Sequence, residues 1–140
     1  MSLAPSPEIL SAWREACNAY KRAHAPYSRF QVGASLKLKG RDSVISGCNV
    51  ENASYGATVC AERVALMSAR AQVGPFEPEF MVLVTDTSPA VAPCAMCLQV
   101  FSEFCEPSFP IYLSNLQGIQ ELVHFGDLLA RPFEKLQLKS

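Results

Sequence analysis

Ile9, Leu10, Trp13, Ala16, Cys17 and Tyr20 recur at the three-and-four spacing of a single helical face. Ser6 and Pro7 supply an N-cap and a proline at the first helical position, and Pro26 lies beyond the far end. A helix is therefore predicted over 7–23. At Phe30 the period changes to two. Phe30, Val32, Ala34, Leu36 and Leu38 alternate with other residues, which predicts a strand, and a turn at 40–42 leads into a second, antiparallel strand over 44–50. A loop over 51–57 precedes a helix over 59–73, stopped by Gly74 and Pro75. The apolar run 80–85 reads as a buried strand, 86–93 as a loop and 94–104 as a helix. Short strands over 111–113 and 119–124, a helical turn over 126–129 and a loose tail complete the pattern. The order α-β-β-α-β-α-β predicts a three-layer α/β/α sandwich with a mixed sheet. No repeat, linker or low-complexity tract interrupts it, so residues 1–140 read as a single domain.

Composition narrows the partners. The chain has 140 residues, 49% of them apolar, and a formal net charge of −1. Its Lys and Arg are scattered, so there is no basic footprint for a polynucleotide. The first residues lack the basic start and apolar core of a secretory leader, and the longest strongly apolar run, 80–84, is far too short to span a bilayer. A cytoplasmic protein is expected. In that compartment six cysteines point to metal or thiol chemistry before disulfides.

Two segments carry the chemistry: T-V-C-A-E at 58–62 and P-C-A-M-C at 93–97. Cys60, Cys94 and Cys97 offer three thiolates to one Zn2+. That leaves the fourth tetrahedral position open for water, as in catalytic sites. Glu62 is the carboxylate that could carry protons to and from that water. Cys94 and Cys97, three apart in a first helical turn, would share a face, and helix N-termini favour thiolate over thiol. Residues 60 and 62 do not share a helix face, so the metal must lie beyond the helix tip for both to reach it. Three thiolates and Zn2+ sum to a net negative charge that weakens the pull on water. Arg63, next to Glu62, is the candidate cation to offset it by donating to ligand sulfur. A redox C-x-x-C or half of a structural zinc knot would leave Cys60 and Glu62 unexplained, and no fourth Cys or His stands at motif spacing.

A metal ligand two residues before a glutamate, followed by P-C-x-x-C, is the general zinc-deaminase signature. Residues 25–34 (APYSRFQVGA) and 47–56 (GCNVENASYG), with 58–63 and 93–99, resemble the small cytidine deaminases whose zinc ligands are all cysteine. The resemblance runs from about residue 20 to residue 133. It implies zinc-dependent hydrolysis of cytidine and deoxycytidine to uridine and deoxyuridine, a pyrimidine-salvage activity, with zinc on Cys60, Cys94 and Cys97 and Glu62 as the proton shuttle. It further implies that Asn49 and Glu51 bond the ribose hydroxyls and that Phe30 packs against the nucleoside. A homotetramer with shared active sites is implied as well, in which Ala53 and Tyr55 reach a neighbour's ribose and Phe133 stacks on a neighbour's pyrimidine. Two positions depart from the pattern: Ala95 stands where glycine is usual, and Leu98 where arginine is usual.

The remaining candidates read as structural. His24 is placed at the end of the first helix and His124 at a strand end, neither at ligand spacing. Cys17, Cys48 and Cys105 read as small buried residues, Trp13 as core, and Phe101 with Phe104 as a core or interface pair. Arg29 and Arg131 read as solvated charges. Rival functions are a deaminase for a cytosine-nucleoside antibiotic such as blasticidin S, a polynucleotide-editing deaminase, and a non-catalytic zinc fold that senses nucleosides. A pure binder would have no need of Glu62 at the metal.

Overall fold

The computed structural model describes residues 4–138. Its centre is a mixed five-stranded sheet in the order β2-β1-β3-β4-β5. The strands are β1 (Val32–Leu38), β2 (Ile45–Cys48), β3 (Pro78–Thr85), β4 (Pro110–Asn115) and β5 (Gly118–His124). β1 runs antiparallel to both β2 and β3, β3 and β4 are parallel, and β5 returns antiparallel along β4. The parallel pair needs a crossover, and α3 (Ala95–Phe104) provides it.

Alternation along the strands sends side chains to two separate cores. Phe80, Val82 and Val84 of β3 pack with Ala12 and Ala16 of α1 (Pro7–Lys21) on one face. Met81 and Leu83, with Ala34 and Leu36 of β1, face α2 (Ala61–Val73) and α3 on the other. Burial on both faces is why 80–85 reads as a continuous apolar run. Phe101 of α3, fully buried, stacks near Phe109 and Phe125. Burying a side chain of this size contributes roughly 1.5–3 kcal/mol. Phe104 is only partly buried and stacks on Phe76 instead.

Two glycines let helices lie directly on strands. A Cβ at Gly33 would fall 2.0 Å from the Ala16 carbonyl oxygen, and one at Gly47 would fall 2.3 Å from that of Ala61. Only glycine permits such approaches. Gly47 thereby seats the first turn of α2 against β2.

Several boundaries differ from expectation. α1 opens as predicted, with Ser6 Oγ accepting from Ile9 N–H at 3.3 Å, but closes at Lys21. His24 is therefore outside the helix: its N–H donates to Asn49 O and its carbonyl accepts from Glu51 N–H. This pairing draws the chain off the helix to the end of β2. Helices α2 and α3 begin one residue after Cys60 and Cys94, and a short α4 spans Phe125–Leu128. Cys17, Cys48 and Cys105 are half-buried rather than buried. Trp13 is also partly buried, with Nε1 donating to Asn115 O at 3.0 Å. His124 does close β5, where Nδ1 lies 3.9 Å from Asp127.

Candidate metal centre and active site

Cys60 and Cys94 are each the N-cap of a helix, in extended conformation, and neither side chain caps the helix it precedes. Ser, Thr, Asp or Asn would ordinarily stand at such positions and bond the free N–H groups. Cysteine gives up that bond and leaves its sulfur directed elsewhere. Those two sulfurs meet Cys97, in the first turn of α3, with all three Sγ atoms within 4.8 Å of one another. Cys94 and Cys97 Sγ are 3.5 Å apart. Tetrahedral zinc with Zn–S bonds of about 2.3 Å spaces its sulfurs by about 3.8 Å, so this donor set fits the ion in chemistry and in size. Because Cys60 precedes the helix, Glu62 two residues later is not bound by the helical rule that would keep the pair apart.

Electrostatics divides the thiols. Cys60 is lowered to about 5, first by a hydrogen bond from Cys97 and then by the Arg63 guanidinium, against the opposing effect of burial. Cys97, as donor of that bond and buried beside Glu62, is pushed up. Arg63 donates through Nη2 to Cys60 Sγ at 3.5 Å and to Thr58 O at 3.4 Å. Its Nε is buried without a partner.

Glu62 is 4% exposed. Burial raises its carboxyl to about 7, with the Cys60 charge adding to the rise. Its own main-chain N–H, the Cys97 thiol and Arg63 act the other way. A carboxyl near neutrality can both accept and give up a proton in the working pH range.

A cavity of about 280 Å3 opens beside this cluster. Phe30, Asn49, Glu51, Cys60, Glu62 and Cys94 all line it, so the chain brings together six of the residues singled out in the sequence. Ser28, Val32, Thr58, Leu83, Thr85, Val91 and Ala92 line it too and were not singled out. Ser28 and Val32 lie inside the quoted segment 25–34. Leu83 and Thr85 sit at the end of a strand that by pattern is simply core. Tyr55 faces an adjoining hollow of about 300 Å3 with Tyr27, Ser28, Glu51 and Thr58. Ala53 is exposed, and Phe133 is 57% exposed and does not line the cavity.

Asn49 and Glu51 also hold the cavity wall. Asn49 Nδ2 donates to Phe30 O at 2.7 Å, and its Oδ1 accepts from Val32 N–H at 2.8 Å. Glu51 Oε1 accepts from the N–H groups of Tyr27 and Ser28, and Oε2 from the Ser28 hydroxyl. Ser28 Oγ accepts in turn from Phe30 N–H at 3.0 Å. Between them sits Arg29 at φ 59°, the left-handed region that non-glycine residues rarely occupy. Arg29 is the sole non-glycine residue with positive φ among the described residues, so Ala95 replaces glycine without backbone strain. Leu98 is 6% exposed within the main core, where an arginine would need a partner for its charge.

A zinc-thiolate centre with a buried carboxyl, set on an α/β/α sandwich, defines the class of zinc-dependent deaminases. A profile described as the cytidine and deoxycytidylate deaminase zinc-binding region matches residues 8–113. The cytidine deaminase of Halalkalibacterium halodurans is 46% identical over 120 residues, which is 86% of this chain and 89% of that one. That of Sporosarcina psychrophila is 41% identical over 124 residues, 89% and 90% of the two chains. Among solved structures, Burkholderia pseudomallei cytidine deaminase superposes with a TM-score of 0.79 at 42% identity, over 89% of this chain and 98% of that one. The Mycobacterium tuberculosis enzyme gives 0.76 at 32% identity, over 92% and 99%. The chain belongs to the zinc-binding cytidine and deoxycytidylate deaminase family.

Proposed function

We propose that this protein hydrolyses cytidine and deoxycytidine to uridine and deoxyuridine, releasing ammonia. The observation that carries the reading is Glu62, buried at 4% exposure, beside three sulfurs gathered for one metal ion. Zinc held by Cys60, Cys94 and Cys97 supplies the Lewis acidity that makes a water nucleophilic near neutral pH. Glu62 takes a proton from the attacking water and delivers it to N3 as the oxygen bonds to C4. It then transfers the hydroxyl proton of that adduct to the exocyclic amine, the C4–N bond breaks, and ammonia leaves. Arg63, donating to Cys60 Sγ at 3.5 Å, offsets part of the negative charge that three thiolates bring to the site.

The surroundings support a nucleoside over a nucleotide. Among the described residues no Lys or Arg lines the cavity or the adjoining hollow, and Glu51, its carboxyl held below the usual carboxylate range chiefly by the Ser28 hydroxyl, would repel a 5′-phosphate. Asn49 and Glu51 retain unused hydrogen-bonding capacity for the sugar hydroxyls, and Phe30, 43% exposed, offers an apolar wall. Tyr55, at 75%, and Phe133 are exposed aromatic rings outside the metal cavity of their own chain. Such rings suit a homotetramer in which Ala53, Tyr55 and Phe133 complete a neighbour's site. All six cysteines are free, in keeping with a reducing cytoplasm and a salvage role.

Zinc-loaded protein incubated with cytidine, deoxycytidine, deoxycytidylate, blasticidin S and a single-stranded oligonucleotide should release ammonia rapidly from the two nucleosides alone. Release from blasticidin S alone, or none with zinc intact, overturns the reading. For shared sites, mixing Glu62→Gln with Phe133→Ala protein should restore activity. No recovery in verified mixed oligomers refutes sharing.

A further inference from the structure

The segment after α4 is largely exposed, yet its aromatic residue is held at two points. Gln99 Nε2 donates to Phe133 O at 2.7 Å, and Gln99 Oε1 accepts from Phe133 N–H at 3.1 Å. The remaining Nε2 hydrogen reaches Ser102 Oγ at 3.2 Å, and the Ser102 hydroxyl donates back to the Gln99 carbonyl. Every hydrogen on the Gln99 amide is thereby assigned, and its rotamer is locked from one turn along the same helix. That helix, α3, carries Cys97 two residues earlier and is capped by Cys94. One rigid element thus fixes two metal-binding sulfurs at its tip and the backbone of an exposed aromatic residue along its side. The Phe133 ring itself stays 57% exposed, so the clamp leaves the side chain projecting.

We infer that Gln99 is a positioning residue for substrate binding: its amide sets the Phe133 ring, relative to α3, in the orientation that a neighbouring subunit's nucleoside meets. This rests on the reading above that Phe133 reaches a neighbour's site. The clamp needs a donor and an acceptor on one short planar group. Glutamate would keep the bond from Phe133 N–H but set a carboxylate against Phe133 O. Methionine would keep the shape and lose both bonds. A free ring must be ordered on each binding event, which weakens binding without touching the chemistry at C4.

The test is steady-state kinetics on zinc-loaded Gln99→Met, Phe133→Ala and the double variant, with zinc content measured for each. Gln99→Met should raise KM for cytidine about tenfold, the worth of one or two hydrogen bonds, with kcat and zinc content nearly unchanged. In the Phe133→Ala background the same substitution should cost nothing further. Gln99→Glu, nearly isosteric, should raise KM as well and serves if the methionine variant is unstable. If Phe133→Ala raises KM and the Gln99 variants do not, the clamp is idle while the Phe133 reading stands. If Phe133→Ala leaves KM unchanged, the shared-site reading fails and the inference falls with it. An equal Gln99→Met effect in both backgrounds would show that Gln99 acts elsewhere.

Discussion

Asn49 grips the main chain of Phe30: its Nδ2 donates to the Phe30 carbonyl at 2.7 Å while its Oδ1 takes the Val32 N–H, two residues on. Asn49 is 6% exposed and both of its bonds are partly buried. Asn49→Ala should destabilise the fold by about 1–2 kcal/mol, the cost of losing two hydrogen bonds to partly buried backbone groups. It should also raise KM as Phe30 shifts. Urea unfolding and steady-state kinetics read the two effects, and an unchanged midpoint would mean that water replaces the amide.

Glu62→Gln keeps the shape and burial of the side chain and removes its capacity to exchange protons. Bound zinc and nucleoside affinity should persist while kcat falls about 10²–10⁴-fold, the usual worth of a positioned acid–base group. Metal analysis beside calorimetric titration with cytidine checks binding separately from turnover. A fully active variant would remove Glu62 from the reaction.

Gly47→Ala would place a methyl carbon 2.3 Å from Ala61 O and 2.6 Å from Ala65 N, both backbone atoms that no rotamer change can move. The first turn of α2 must lift from β2, taking Cys60 and Glu62 with it. Stability should drop by roughly 1–3 kcal/mol, as for other overpacked sites, and zinc per chain should fall. Guanidinium unfolding and metal content test this, and full zinc occupancy would show that the tip is not held through Gly47.

The Glu51 carboxyl is held below its ordinary value chiefly by the Ser28 hydroxyl, with the Ser28 and Tyr27 N–H groups adding to it. A depressed folded pKa contributes stability that is complete above the unfolded value, about 4.3. That contribution disappears as pH falls through the folded one. The stability gap between wild type and Glu51→Gln should therefore be constant from about pH 7 to about pH 5 and narrow in more acid solution. Denaturant titrations across that range decide the matter, and a gap that widened on acidification would contradict the assignment.

What could be read from the chain alone followed from short-range pattern. The change of period near Phe30 announced β1, which starts two residues later at Val32 and leaves Phe30 on the cavity wall. The two cysteine segments announced the sulfur cluster, because three thiols and a carboxylate at that spacing have few other uses. Helix starts were less legible. Cys60 and Cys94 read as first-turn residues, because cysteine is not among the side chains that announce an N-cap, yet each is the N-cap of its helix and makes no side-chain capping bond. The expected strand 111–113 runs on to Asn115, since Ser114 and Asn115, polar and loop-like in sequence, satisfy themselves on Leu83 O and Thr87 O. The tie between Gln99 and Phe133 spans 34 residues, and no local signal announces it. Likewise, the sequence gives Asn49 and Glu51 as candidate ligands for sugar but not as the struts of the 27–32 wall.

The bare contact of α2 on Gly47 has a consequence for how freely this enzyme can change. Helix and strand meet there backbone on backbone, so the separation between the end of β2 and the tip bearing Cys60 owes nothing to side-chain size on the outer surface of the helix. Met67, Arg70, Ala71 and Gln72 lie on that surface. Where no neighbouring subunit covers them, they can be rewritten for solubility or charge while the reacting groups keep their places.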